Sequence, residues 1–190
     1  MLALTEVRAG PRHEPAQVTS PVAALVALDP DAWNQLFEQY YRKMYNFAYV
    51  RTGDVSASEE IASEVFAAAA RGISRYRDTG APIGAWLFRI ARNLTADHID
   101  QRRRRPAVSL EATQLDIETA SPDIDAATDL ARSVALLTRE QQEVIALRFF
   151  NDCSLQEAAA ALGKSIGAVK LLQHRALAAL RRQLTPETPR

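Results

Sequence analysis

The amino-acid sequence predicts an all-α protein with two small helical domains joined by a flexible acidic linker. Apolar residues recur at the three- and four-residue spacing of amphipathic helices over most of the chain, and no alternating apolar and polar run is long enough for a sheet. Glycine, a poor helix former, occurs only 7 times. Residues 106–129 contain six acidic side chains and neither lysine nor arginine, so this stretch is predicted to be the linker.

The composition excludes several classes of protein. In the 190 residues, 23 Lys and Arg balance 23 Asp and Glu, so any polyanion must bind at local patches and not over a uniformly basic surface. One cysteine, Cys153, and three scattered histidines form neither a disulfide framework nor a metal site, and no cofactor is expected. The apolar run Val22–Leu28 is too short to span a bilayer. These features predict a cytoplasmic protein without membrane insertion.

The first domain is predicted over residues 30–105, after a flexible arm at residues 1–29 that lacks a steady period. Its first helix extends from about Asp31 to Arg51 and has a stripe of aromatic and aliphatic residues, which is typical of core packing. The stripe contains Trp33, Leu36, Phe37, Tyr40, Tyr41, Met44 and Phe47.

The second helix is predicted to begin after Gly53-Asp54, a pair typical of a turn followed by a helix cap. Its apolar positions Ile61, Val65 and Phe66 can face the core. The opposite side is acidic and polar and consists of Glu59, Glu60, Ser63 and Glu64. Acidic residues near a helix start also suit the helix dipole, so a purely structural role is the alternative to a binding face.

The third helix, from about Ile83 to Arg104, has an apolar stripe on one side and a basic stripe on the other. Arginine binds phosphate groups bidentately, so the basic stripe indicates contact with a nucleic-acid backbone. A solvated helix end favoured by the dipole is the alternative. The candidate contacts are Arg89, Arg92, Asn93, Arg102, Arg103, Arg104 and Arg105.

The loop before this helix places Tyr76 between Arg75 and Arg77. An aromatic ring flanked by arginines can stack on an unpaired base while the cations hold its backbone. Tyr76 and Arg77 are therefore further candidate contacts, although an ordinary polar loop has a similar composition.

The second domain is predicted over residues 130–184, followed by a tail at residues 185–190. Residues 130–190 contain nine basic and five acidic side chains. Ser154 and Glu157 have the spacing of a capping box, the helix they open is expected to stop at Gly163, and a longer helix starts near Ile166. A helix, a short glycine-containing turn and a longer helix form the helix-turn-helix pattern.

The longer helix has an apolar side for packing and a mixed basic and polar side suited to a DNA major groove. Val169, Leu172, Ala176 and Leu180 are predicted to pack inward. The candidate DNA contacts are Lys164, Ser165, Gly167, Ala168, Lys170, Leu171, His174 and Arg175. Helix pairs of this kind also occur in ordinary bundles, so the pattern alone is only moderately specific.

Over roughly residues 31–182 the chain resembles bacterial sigma-70 family RNA polymerase sigma factors of the extracytoplasmic function (ECF) class. In the first domain the resemblance lies in Gly53-Asp54, Glu59-Glu60-Ile61, Glu64-Val65-Phe66, Trp86-Leu87 and Arg89-Ile90-Ala91-Arg92-Asn93. In the second it lies in Leu137-Thr138, Gln141, Glu143, Leu147-Arg148-Phe149, Glu157-Ala158-Ala159, Leu162-Gly163, Gly167-Ala168-Val169-Lys170 and His174-Arg175-Ala176. Three departures, at Asp100, Ala168 and Leu171-Leu172, leave the promoter sequence undefined.

The resemblance implies a non-catalytic specificity subunit of RNA polymerase. Its first domain, sigma region 2, is expected to bind the polymerase clamp helices and to melt and read the −10 element. Its second, sigma region 4, is expected to read the −35 element near the polymerase flap. The implied polymerase contacts are Glu59, Glu60, Ser63, Glu64 and Phe66. An anti-sigma factor is an expected further partner, and a helix-turn-helix regulator that is not a sigma factor is the alternative.

Overall fold

A computed structural model describes residues 21–78, 80–104 and 122–185, and within them it contains helices and connections but no β-strand. The all-α prediction is confirmed. The helices are α1 (Pro21–Val26), α2 (Pro30–Thr52), α3 (Val55–Gly72), α4 (Ile83–Arg104), α5 (Pro122–Ala135), α6 (Arg139–Ile145), α7 (Leu155–Leu162) and α8 (Ile166–Leu184). None of these helices is long and apolar enough to cross a lipid bilayer.

In the first domain, α2 and α3 pack side by side and α4 packs against both. The short α2–α3 connection follows from two residues. Gly53 adopts the left-handed conformation, with φ of 64°, that ends α2, and the Asp54 side chain accepts a hydrogen bond from the Ala57 N–H to cap α3. The core between the three helices includes the fully buried side chains Met44, Phe47, Val65 and Leu87.

Two helices begin inside segments that the sequence predicted to be irregular. Helix α1 lies within the predicted arm, where Leu25 is buried and the indole Nε1 of Trp33 donates to the Leu25 carbonyl. Six residues are too few to establish a helical period. Helix α5 begins at Pro122, within the predicted acidic linker, and proline is favoured in a first helical turn. Residues 1–20 of the arm and 106–121 of the linker lie outside the described residues.

The second domain contains the predicted helix-turn-helix, formed by α7 and α8. The Ser154 and Glu157 capping box is present, Gly163 ends α7 with φ of 63°, and the Ser165 side chain caps α8. On α8, Val169, Ala176 and Leu180 are buried, as their spacing predicts. Between α6 and α7, residues Ala146–Phe150 form a π-helical turn.

The two domains pack against each other. Helix α7 lies against α4, while α6 and the π-helical turn lie against α2. One apolar cluster is shared, because it includes Met44 and Leu87 of the first domain together with Leu147, Ala158 and Val169 of the second. The sequence division at the linker therefore does not correspond to two separate cores.

Candidate polymerase and promoter interfaces

The acidic face predicted on α3 is exposed. Ile61 and Val65 are buried against the neighbouring helices, and the helical period then directs Glu59, Glu60 and Ser63 to solvent. Glu64 is partly exposed and forms an ion pair with Arg71, two helical turns further along, at 2.5 Å. The face offers carboxylates to a basic or polar partner without leaving any of these charges buried.

Phe66, the remaining predicted polymerase contact, is only 8% exposed. Its ring lies under Phe37 and Tyr41 of α2, at centroid distances of 4.8 and 6.4 Å. Phe37, which the sequence assigned to core packing, is instead 44% exposed at the edge of the apolar stripe. This exposure corrects the assignment of Phe37 to the core: Phe37 presents aromatic surface and Phe66 supports it from below. Contact of Phe66 with polymerase stays a prediction.

On α4, Arg89 and Asn93 are exposed, and so are the three arginines Arg102, Arg103 and Arg104 at its end. These side chains point to solvent because Leu87 and Ala91 are buried on the opposite side of the helix. Arg102 also pairs with Asp54, the cap of α3, at 3.3 Å. Arg105, the last predicted contact of the run, lies outside the described residues.

The arginine end of α4 borders a groove of about 410 Å³. The lining residues are Arg51, Thr52, His98, Ile99, Arg102 and Arg103. His98 is only partly buried there. The concentration of cations suits an anionic strand more than an apolar ligand.

Arg92 does not face solvent as predicted. Its side chain is 30% exposed, and its Nε lies 3.0 Å from Oε2 of Glu143 in the second domain. The prediction treated α4 as an isolated helix with one packed side, whereas α4 packs against the first domain on one side and against α7 on another. Arg92 is therefore an interdomain residue in this conformation.

Tyr76 lies against Trp86, with ring centroids 5.1 Å apart and tilted by 57°. Burial raises the pKa of the Tyr76 hydroxyl, while nearby Asp78 raises it further and Arg89 lowers it. The structure thus brings Tyr76 and Arg89, which are distant in the sequence, into one neighbourhood, and Arg77 beside them is exposed. An aromatic platform next to a cation is the arrangement that accepts an unstacked base.

The predicted DNA-reading side of α8 is open to solvent. Its exposed members are Ser165, Gly167, Lys170, Leu171, His174 and Arg175, and Ala168 is partly buried. Lys164, at the turn, forms an ion pair with Glu140 of α6 at 2.7 Å, and this hydrogen bond lowers the pKa of the Glu140 carboxyl. The N-terminal half of α8 therefore presents two cations, a histidine and two large apolar side chains, Ile166 and Leu171.

Sequence reasoning missed the role of Glu143. This side chain is fully buried on α6 and pairs with three arginines: Arg51 at 3.1 Å, Arg92 at 3.0 Å and Arg139 at 3.0 Å. Desolvation lowers the pKa of Arg51 despite the opposing effect of the Glu143 charge. Glu143 belongs to the family motif, but no sequence pattern identified its partners because two of them lie in the other domain.

Cys153 lies at the domain contact and is 7% exposed. Burial, with a smaller contribution from Glu157, raises the pKa of its thiol to about 11. The thiol is therefore protonated at neutral pH and is a poor nucleophile.

Comparison with known proteins identifies both domains. Residues 36–105 match Sigma-70 region 2, and residues 134–182 match Sigma-70, region 4. The ECF RNA polymerase sigma factor BldN of Streptomyces coelicolor is 35% identical over 175 residues, covering 89% of this chain and 66% of BldN. The ECF sigma factor SigD of Mycobacterium tuberculosis is 34% identical over 173 residues, covering 86% of this chain and 82% of SigD.

A solved structure has a similar fold. CnrH, determined in complex with the cytosolic domain of CnrY, superposes with a TM-score of 0.69 and is 26% identical, covering 88% of this chain and 97% of CnrH. The order of the two matched regions and the likeness to SigD over most of both chains favour a sigma factor over a separate class of helix-turn-helix regulator. The chain belongs to the ECF RNA polymerase sigma factors.

Proposed function

We propose that this sigma factor directs promoter-specific initiation by using α3 to hold core polymerase, α4 to open and read the −10 element, and α8 to read the −35 element. One observation supports this division most strongly. An acidic face on α3 and two cationic faces, on α4 and α8, are exposed on separate helices. Each face has the charge that its partner requires, because DNA is a polyanion.

The polymerase contact combines charge and apolar burial. The carboxylates of Glu59, Glu60 and Glu64 attract basic groups of the clamp helices, while Phe37 adds apolar area beside them. Region 4 is expected to bind the polymerase flap. Because polymerase performs the phosphoryl transfer, the sigma chain carries out no chemistry and needs no cofactor.

The strand-opening step uses the neighbourhood of Tyr76 and Arg89. Extruding a base costs a few kcal/mol, so contacts made only with the open strand must offset that cost. Tyr76 on its Trp86 support supplies stacking, Asn93 supplies hydrogen bonds, and Arg89 holds the backbone. The arginines at the end of α4 extend the backbone contact.

Two further parts of the proposal follow from the relatives. CnrH is in complex with the cytosolic domain of CnrY, and we infer that this chain also binds a partner protein. We propose that this partner is an anti-sigma factor that holds the chain until a signal releases it. Because its proposed target is bacterial RNA polymerase on chromosomal DNA, we infer that it acts in the cytoplasm.

Runoff transcription with purified core polymerase tests the proposal. Genomic fragments of the source organism serve as templates, and the 5′ ends of the transcripts are mapped. The expected result is a small set of fixed start sites preceded by shared −35 and −10 sequences. Transcripts that start only when another sigma factor is added would instead favour the regulator.

The double variant Arg89→Ala/Arg103→Ala tests the assignment of α4. Loss of two phosphate contacts is expected to lower the slope of log binding constant against log salt concentration by about 1.4 on single-stranded DNA. The matched control removes two exposed arginines of the second domain, Arg132 and Arg181. Neither of them is assigned a contact with DNA. If the α4 double variant has the same slope as the unmodified protein, the assignment is contradicted.

A further inference from the structure

A fully buried carboxylate spans the two domains. Glu143 accepts hydrogen bonds from Arg51 near the end of α2 and from Arg92 in the middle of α4, and its third partner, Arg139, is on its own helix. We call these four residues the Glu143 cluster. A buried charge is tolerated only when it is paired, so the carboxylate and the two arginines of the first domain depend on the domains remaining in contact.

Apolar contacts close the same boundary. Leu147, Ala158 and Val169 of the second domain are buried in one cluster with Met44 and Leu87 of the first. At its rim, the Asn46 side-chain amide donates to the Phe150 carbonyl at 3.1 Å. The ionic and apolar contacts together define one closed arrangement of the domains.

The closed arrangement is too small to read a promoter. Elements centred at −10 and −35 are separated by about 25 base pairs, or ~85 Å of duplex at about 3.4 Å per pair. A compact chain of 190 residues has a radius of gyration of about 16 Å and a diameter on the order of 40 Å. Simultaneous contact therefore requires the domains to separate. Residues 105–121 supply up to about 60 Å of chain for that separation.

The closed arrangement also occupies a predicted promoter contact. The guanidinium of Arg92 binds the Glu143 carboxylate in place of a DNA phosphate, and both anions accept the same hydrogen bonds from arginine. Arg89 and the end of α4 remain exposed, so DNA can bind weakly at the edge while the centre of α4 is covered. Closure and full strand binding then exclude each other.

From these observations we propose that the Glu143 cluster is an autoinhibitory latch, which holds the free chain closed and is exchanged for DNA phosphate when the domains open. Closure does not depend on the proposed function, but its inhibitory consequence rests on the −10-reading role given to α4. The face of α4 is thus covered by region 4 of the same chain.

Small-angle X-ray scattering of the full chain and of Glu143→Gln tests the latch. The amide leaves three arginine charges together without a carboxylate, so the variant is expected to open and its pair-distance distribution to gain a second maximum. Glu140→Gln is the matched control, because it removes an equal charge from the same helix while its partner Lys164 is in the same domain. It is expected to scatter like the unmodified chain.

Affinity for a single-stranded oligonucleotide gives the second readout. If about a tenth of the free protein molecules are in the open state, Glu143→Gln should bind about tenfold more tightly than both the unmodified protein and Glu140→Gln. Equal affinities for the three proteins would overturn the inhibitory role while leaving promoter-specific transcription unaffected.

The unmodified chain provides a test that does not depend on whether the variant folds. A single compact maximum in its scattering, which separates into two when a promoter duplex with an unpaired −10 segment is added, supports the latch. Two separate maxima in the free chain would overturn it. Failure of the proposed function is recognised differently, by the absence of fixed start sites in the transcription assay.

Discussion

Gly84 shows how one small residue fixes the approach of α4 to α2. A Cβ added at this position would lie 2.9 Å from Cζ and from the hydroxyl oxygen of Tyr40, and nearer still to Cε1. The Tyr40 ring is half-buried in the shared cluster, and burial raises the pKa of its hydroxyl. The ring must move before any larger residue can occupy position 84.

We therefore predict that Gly84→Ala lowers the free energy of unfolding. Overpacking costs about 1–3 kcal/mol, and the better helix propensity of alanine returns up to about 1 kcal/mol. Urea unfolding followed by circular dichroism measures the difference. Gly167→Ala is the control, since the only atom near its added Cβ is Ser165 Oγ at 4.0 Å, and its stability should be unchanged or slightly higher. Equal behaviour of the two variants would contradict the close packing.

The exposure of a side chain was predictable where its packing partners lie close to it in the sequence. The acidic face of α3 and the exposed side of α8 follow from the period of a single helix, because Ile61 and Val169 fix which side is buried. Phe37 was misjudged as a core residue, since it falls near the edge of a stripe and only the packing of α2 on α3 decides which ring covers the other.

At the scale of elements, two capping boxes with different chemistry start α6 and α7. In α6 the partner of Thr138 is the neutral side chain of Gln141, and in α7 the partner of Ser154 is the ionisable Glu157. The backbone N–H and then the side chain of Ser154 lower the pKa of the Glu157 carboxyl by hydrogen bonding to it. The folded protein therefore favours the charged form of Glu157.

This difference predicts that only the α7 box depends on pH. A carboxyl whose folded pKa is lowered stabilises the fold above its unfolded pKa of about 4.3, and this contribution is lost as the pH falls through the lower folded value. The destabilisation caused by Glu157→Ala should thus shrink as the pH is lowered from 7 towards 3. The destabilisation caused by Gln141→Ala should not change with pH. Urea unfolding at each pH measures the destabilisation of both variants.

Parallel loss of both destabilisations at low pH would contradict the assignment of the effect to the Glu157 carboxylate. The Ser154–Glu157 box and the glycine stops were recognisable in the sequence because each uses residues within a few positions. Helix α1 was not, since it is held by the packing of Leu25 and the Trp33 bond and not by a repeated period. Helix α5 was hidden by the acidic composition around Pro122.

For the whole molecule, the charge pattern predicted two domains but not the contact between them. Glu143 looked like one polar residue of a motif, and its buried position becomes visible only when Arg51 and Arg92 are brought to it across the domain boundary. The apolar stripe on either side of the boundary is short, so each can be interpreted as packing within its own domain. A linker without periodicity contains no information about how the domains meet.

A shared core predicts shared unfolding. Both tryptophans, Trp33 and Trp86, lie in the first domain, so their fluorescence reports on that domain, whereas far-UV circular dichroism reports on both. Leu147 lies in the second domain and is fully buried in the shared cluster. Leu147→Ala should lose about 2–5 kcal/mol and move both signals to lower urea together, because removing its side chain weakens the packing that supports each domain.

Leu184→Ala is the matched control, since it is the same substitution in the same domain at a position that is 44% exposed. Its transitions should stay within about 0.5 kcal/mol of the unmodified chain. If the tryptophan transition of Leu147→Ala remained in place while the dichroism transition split in two, the domains would be unfolding separately. The apolar cluster would then not couple them, and the Glu143 cluster alone would have to hold the closed arrangement.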